Sequence, residues 1–245
     1  MPLLYGRCVA DWAWLLALST AVVTGAGACG VEEEPSRGAG SKTQPGSVIF
    51  TDATEEAGLM YLQGEHRTPP NCILDAPAID RLGHYCTPEW YAGGVAAADY
   101  NGDGFVDLYV TRIYGPDKLF RNDGAGHFED VAGQAGLAID RHTSGAAFAD
   151  VDNDGDTDLY VTSIGGFGHA LFINDGAGHY LDEAKTRGAA ILTTEVHMGT
   201  SVAFGDYDLD GYLDLYVGEH RTDVALGEGR SHSRLLHNRG AEAPG

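Results

Sequence analysis

The chain has 245 residues, 43% of them apolar, which is enough for one large all-β fold or two smaller domains, and its 35 glycines suit many tight turns. Asp plus Glu outnumber Lys plus Arg by 36 to 15, a formal charge of −21. That balance argues against nucleic acid or an anionic membrane surface as a partner.

The amino terminus reads as an address. Residues 1–28 have the order of a signal peptide: Arg7, an uncharged apolar run from Trp12 to Val23, then Ala26-Gly27-Ala28 as a small-residue cleavage site. A bilayer-spanning helix needs about 20 apolar residues, so this run is short for a permanent span. Cys29 follows directly and resembles the lipidated cysteine of bacterial lipoproteins, with Ala26 standing where that motif carries Leu or Val. Lipid attachment at Cys29, and with it membrane attachment, and plain secretion both stay open. Either predicts a secreted or cell-envelope protein. Residues 29–47 lack apolar periodicity and read as a flexible tether.

The folded part is predicted over residues 48–245. It starts with Phe50-Thr51-Asp52 and ends its first element at Gly58-Leu59. Residues 60–92 then interrupt the pattern as an insertion with Pro69, Pro70, Pro77 and Pro88. In an exported protein, Cys72 and Cys86 are expected to form a disulfide closing this long loop. The rival, a Cys/His metal site with His66 or His84, lacks zinc-motif spacing. Long loops on rigid scaffolds often carry binding function, which makes Glu65-His66-Arg67 and Glu89-Trp90-Tyr91 ligand candidates.

Three nine-residue stretches follow, and each leads into Leu-Tyr-Val. They are Asp99-Tyr-Asn101-Gly-Asp103-Gly104-Phe105-Val-Asp107, Asp150-Val-Asp152-Asn-Asp154-Gly155-Asp156-Thr-Asp158 and Asp206-Tyr-Asp208-Leu-Asp210-Gly211-Tyr212-Leu-Asp214. Oxygen side chains stand at positions 1, 3, 5 and 9, and glycine at 6. Calcium takes about six to eight oxygens and tolerates irregular geometry. Alternate inward side chains and a sharp turn at position 6 supply them, with the position 7 backbone carbonyl of Phe105, Asp156 and Tyr212 as a further ligand. Three calcium ions are expected. An EF-hand needs Glu at position 12 and helical flanks, but position 12 is Val110, Val161 and Val217 and the flanks read as strands. A bare turn needs far fewer acids, and unneutralised neighbours would raise each other's pKa values. Eleven carboxylates occupy these ligand positions, and three calcium ions would offset six charges.

Two more signatures recur. Leu119-Phe-Arg-Asn122-Asp-Gly124, Leu171-Phe-Ile-Asn174-Asp-Gly176 and Leu235-Leu-His-Asn238-Arg-Gly240 read as turns between short strands. Phe128-Glu-Asp130 leading to Ala135-Gly136-Leu137 is echoed by Tyr180-Leu-Asp182 leading to Gly188-Ala189, and by Phe50 to Leu59. Each repeat therefore holds about four strands, which suits a propeller blade. Over residues 48–240 these motifs closely resemble the FG-GAP-like (VCBS-type) repeats of calcium-binding β-propellers related to the integrin α-subunit head. They resemble most the bacterial relatives of cartilage acidic protein, whose propeller is followed by an ASPIC/UnbV domain. The resemblance implies an all-β fold of propeller blades with calcium in the loops between the first two strands of a blade. Two complete blades plus partial ones are expected, an open arc of a seven-bladed propeller. The chain is then a fragment, or an arc that closes with missing blades or by self-association, because open sheet edges invite pairing.

His127 and His179 share one repeat position, which suggests a structural role, while His142 and His197 lie near one rim. His220-Arg221 and His232 suggest no partner. There is no Gly-x-Ser-x-Gly elbow, phosphate loop or His-Glu-x-x-His. The function expected is an exported, calcium-binding, non-enzymatic propeller module for adhesion to an extracellular protein or glycan. The alternatives are the propeller portion of a secreted polysaccharide lyase or hydrolase, since fold does not establish function, and an inactive truncated fragment.

Overall fold

Each Asp-rich stretch lies between two antiparallel strands, and this pairing builds the molecule. The computed structural model describes residues 50–63, 93–165, 167–192, 197–219 and 232–240. The expected signal peptide, the expected tether with Cys29, the expected Cys72–Cys86 disulfide, the two ligand-candidate triplets and His220-Arg221 lie outside the described residues. Of the insertion, only Met60–Gln63 is described. No helix among the described residues is long and apolar enough to cross a membrane.

The first blade is β1 (Val95–Ala98), β2 (Asp107–Val110), β3 (Lys118–Asn122) and β4 (Phe128–Asp130), antiparallel and in that order. The second repeats it with β5 (Thr143–Ala149), β6 (Asp158–Gly165), β7 (Ala170–Asn174) and β8 (Tyr180–Asp182). The third blade has β9 (His197–Gly205), β10 (Asp214–Glu219) and β11 (Arg234–Leu236), with no fourth strand among the described residues. The tip of β6 also pairs with β9, Ile164 with Met198 and Gly165 with His197. The expected propeller blades are therefore present, and the array is open among the described residues.

After β4 the chain makes one helical turn, α1 (Ala132–Ala135), and leaves it through Gly136 at φ 80. Asp130 sets this corner by accepting the Ala132 N–H on Oδ1; Asp52 and Asp182 do the same for Thr54 and Ala184. The first two corners each rest on the outer strand of the next blade. Phe128 N–H donates to Ala57 O, and a Cβ on Gly136 would stand 2.7 Å from Tyr180 O.

The apolar cores lie between blades, because strand side chains alternate in direction. Tyr109, Leu119 and Leu137 meet Leu159, Val161, Phe172 and Tyr180 between the first and second blades. Tyr160, Leu171 and Ala189 meet Leu215 and Val217 between the second and third. The inner strands approach closely through polar contacts. Thr111 Oγ1 donates to Ser144 O, and Ser144 Oγ donates to Gly199 O. Gly94 permits this approach, since a Cβ there would sit 2.2 Å from Ser144 O.

Candidate metal centre

The loops turn at position 6 as expected, with Gly104, Gly155 and Gly211 at φ 90, 96 and 94. Position 4 is left-handed as well, in Gly102 (φ 73), Asn153 (φ 61) and Leu209 (φ 63). The sequence concealed this, because three unlike residues share the conformation, and leucine bears a cost there of about 1–2 kcal/mol.

Position 1 ties the loop down. Asp99 and Asp206 each accept two loop N–H groups, those of Asp103 and Gly104 and of Asp210 and Gly211. Asp150 accepts the Gly155 N–H on Oδ2 alone. Position 5 uses one oxygen in its own turn, Asp103 to Phe105, Asp154 to Asp156 and Asp210 to Tyr212. Position 9 is buried in every loop: Asp107, Asp158 and Asp214 are at most 1% exposed. Its Oδ2 accepts the N–H of position 2 (Tyr100, Val151, Tyr207), and its Oδ1 accepts the N–H of Asn122, Asn174 or Asn238. Burial raises Asp107 above the ordinary carboxylate range and lifts Asp158 to about 6, against the lowering effect of those N–H bonds.

In the second loop, carboxylate oxygens of Asp150, Asp152 and Asp158 lie within 4.8 Å of one another; Asp206, Asp208 and Asp214 do so in the third. Asp150 Oδ1 and Asp152 Oδ1 are buried without a hydrogen-bond partner. Converging, unpartnered carboxylate oxygens fit a hard cation, since burying them uncompensated is costly. Arg187 Nη2 reaches Asp152 Oδ2 at 3.2 Å and offsets one charge. In the first loop Asn101 Nδ2 donates to Asp103 Oδ2 at 2.9 Å. In the third, His237 Nε2 stands 3.0 Å from Asp208 Oδ2 and 3.6 Å from Asp210 Oδ2, adding a nitrogen to the edge of the set.

At position 7, a contact with the Asn-x-Gly turn bounds the side chain. A Cβ on Gly124 or Gly240 would enter the ring of Phe105 or Tyr212, at 2.3 and 2.4 Å, and one on Gly176 would stand 2.6 Å from Asp156 Oδ2. The Asn of the Asn-x-Gly signature does more than turn the chain. Asn174 Nδ2 donates to Thr157 O and across to Tyr100 O in the previous blade's loop. Asn238 Nδ2 donates in the same way to Leu213 O and Val151 O. Its recurrence in all three repeats was the available signal.

A second device had no such signal. The N–H of the residue five places after the position 9 aspartate is taken by Asp117 Oδ1 from Arg112, by His169 Nδ1 from Ser163 and by Ser233 Oγ from Glu219. Asp117 is 1% exposed, also accepts from Tyr109 and Thr143, and is pushed up to about 7 by burial. His169 Nε2 stands 3.0 Å from Glu219 Oε1, and both side chains are buried. Of the other histidines, His127 and His179 are exposed beside Asp123 and Asp175. The backbones of His142 and His197 flank the tip of β6, and the His142 ring sits between Tyr114 and Phe167.

Four-stranded antiparallel repeats, each with an acidic loop between its first two strands, define a β-propeller-type repeat module. The family description "FG-GAP-like repeat" matches residues 99–161, and "FG-GAP repeat" matches 198–232. These two stretches are similar to FG-GAP-type repeats. The chain is 30% identical over 179 residues to cartilage acidic protein 1 of Homo sapiens, covering 70% of this chain and 26% of that protein. It is 29% identical over 132 residues to cartilage acidic protein 1 of Xenopus tropicalis, covering 51% and 20%. The chain thus spans about a fifth to a quarter of the length of these curated relatives.

Proposed function

We propose that this is an exported, calcium-stabilised, non-enzymatic propeller module that binds an extracellular protein or glycan. The observation that carries the calcium reading is the second loop, where Asp150, Asp152 and Asp158 converge and Asp150 Oδ1 and Asp152 Oδ1 are buried without partners. A divalent cation there would relieve the repulsion and hold β5 to β6. The third loop offers Asp206, Asp208 and Asp214 in the same way. The first offers Asp99, Asn101, Asp103 and Asp107, with one carboxylate fewer. Phe105, Asp156 and Tyr212 would add main-chain oxygens. Extracellular calcium modules bind at about 10⁻⁴–10⁻³ M, and the four-carboxylate loops are expected to be the tighter ones. The signal-peptide pattern of residues 1–28, with Cys29 as a lipid-attachment candidate, supports export to the cell envelope or beyond.

The test is thermal unfolding with calcium and with chelator. Asp152→Asn keeps the side-chain shape and removes one ligand charge. It is expected to reduce the calcium-induced rise in Tm while leaving Tm in chelator nearly unchanged. Position 9 is the poorer probe, because Asp158 also holds the Val151 and Asn174 N–H groups. A native chain whose Tm ignores millimolar calcium would refute the proposal.

A further inference from the structure

The two complete blades show how an outer strand is received. Asn122 pairs with Phe128, Arg121 with Glu129 and Phe120 with Asp130; the second blade repeats this as Asn174 with Tyr180, Ile173 with Leu181 and Phe172 with Asp182. The leading aromatic stands on position 2 of the preceding loop, with Tyr180 6.4 Å from Tyr100. The corner of the preceding repeat closes over it, through Gly58 on Phe128 O and Gly136 on Tyr180 O. In the first blade Lys118 Nζ meets the strand's aspartate, Asp130, at 2.6 Å.

The third blade presents the same receiving parts with no strand on them among the described residues. A groove of about 660 Å³ runs along β11, lined among others by Val151, Gly188, Leu235, Leu236 and Asn238. Val151 stands at the repeat position of Tyr100, and Gly188 at that of Gly136. A Cβ on Gly188 would meet nothing within 4 Å, whereas one on Gly136 meets a strand carbonyl. Leu235 is 52% exposed. Arg234 occupies the position of Lys118, and its Nε is buried without a hydrogen-bond partner.

The chain also carries an outer-strand segment with no sheet beneath it among the described residues. Phe50-Thr51-Asp52 has the aromatic-x-Asp pattern of β4 and β8, and Phe50 is 91% exposed. Asp52 already accepts the Thr54 N–H, as Asp130 and Asp182 do at their corners. The corner that follows is seated on the first blade through Phe128 N–H to Ala57 O.

We propose that Phe50-Thr51-Asp52 of one copy adds as the fourth strand to β11 of a second copy. Strand addition of this kind draws affinity from main-chain hydrogen bonds and specificity from side-chain pockets. The register of the complete blades sets Phe50 opposite Asn238, Thr51 opposite His237 and Asp52 opposite Leu236. Phe50 then covers Val151, and Asp52 meets Arg234. The donor's first blade lands beside the acceptor's third, as the second lies beside the first. The contact is head-to-tail, and such contacts close into rings when the rotation permits.

The test is the mass of the 245-residue chain in solution, by light scattering or sedimentation. A two-chain species is expected rather than the single chain of 25.9 kDa. Phe50→Asp should return it to a single chain. Because Phe50 is exposed, the variant's circular dichroism should be unchanged, which separates lost docking from lost folding. In a second arm, Thr51→Cys combined with His237→Cys should give an interchain disulfide beyond that of either single substitution. A native chain that stays a single chain at about 100 μM overturns the proposal. So does a two-chain species that survives Phe50→Asp and yields no added crosslink in the double variant.

Discussion

The second and third blades carry the same triplet, Leu159-Tyr160-Val161 and Leu215-Tyr216-Val217, and treat it differently. Leu and Val are buried in both, because they face the preceding blade. Tyr160 is fully buried against the third blade and donates to Ala189 O at 2.7 Å, whereas Tyr216 is 49% exposed. The repeat thus encodes a strand with two apolar faces, and the neighbour decides which face becomes core. In repeat architectures stability is approximately a sum over repeats and the interfaces between them. The largest expected effect follows from this. Tyr160→Ala should cost about 3–5 kcal/mol in urea unfolding, as large-to-small core substitutions do. Tyr216→Ala should cost under about 1 kcal/mol in the single chain, as surface substitutions do. Equal losses would break the comparison.

The next effect concerns pH. Asp158 is raised to about 6 and Asp117 to about 7 by burial, above an unfolded value near 4. In chelator, the native state therefore holds more protons than the unfolded state between about pH 4 and 7. Stability from these two groups is full below that window and falls as pH rises through it. The loss should be roughly 2–3 kcal/mol for Asp158 alone. Calcium should reduce that slope by favouring the carboxylate at Asp158, leaving the Asp117 contribution in place. Urea unfolding at pH 5 and pH 7.5, with and without calcium, reads both parts. A chelated protein that is more stable at pH 7.5 than at pH 5 would contradict the sign.

The smallest effect compares position 4 of the second and third loops. Asn153 tolerates the left-handed conformation and donates to Gly211 O at 2.9 Å, while Leu209 is 86% exposed in the same conformation. Leu209→Asn should gain about 1 kcal/mol in chelator, because asparagine visits this region at lower cost than leucine. Asn153→Leu should lose at least as much. Urea midpoints of the two variants check the pair.

Much of this architecture was legible because the repeat is written in side chains with one narrow use. Oxygen side chains at positions 1, 3, 5 and 9, and a glycine that must adopt positive φ, mark a loop between two strands whatever surrounds them. Alternating Leu-Tyr-Val marked the strand that follows. Asn122, Asn174 and Asn238 read as turn formers; the second duty of Asn174 and Asn238 was hidden because the carbonyl each reaches across to is 74 or 87 residues away in sequence. Asp117, His169 and Ser233 were invisible because one backbone N–H can be satisfied by a carboxylate, an imidazole or a hydroxyl alike.

Sequence by itself determined the local chemistry: the acidic loops, the strand pairs they join, the Asp-capped corners and the period that makes them blades. All but the period depend on residues close to one another in the chain. Tertiary structure alone decided which aspartates are buried and which oxygens lack partners. It also decided which tyrosine face is core and where, among the described residues, a groove runs along Leu235 and Leu236. Those properties belong to the contact between blades, which dozens of intervening residues separate in the chain and which only packing brings together.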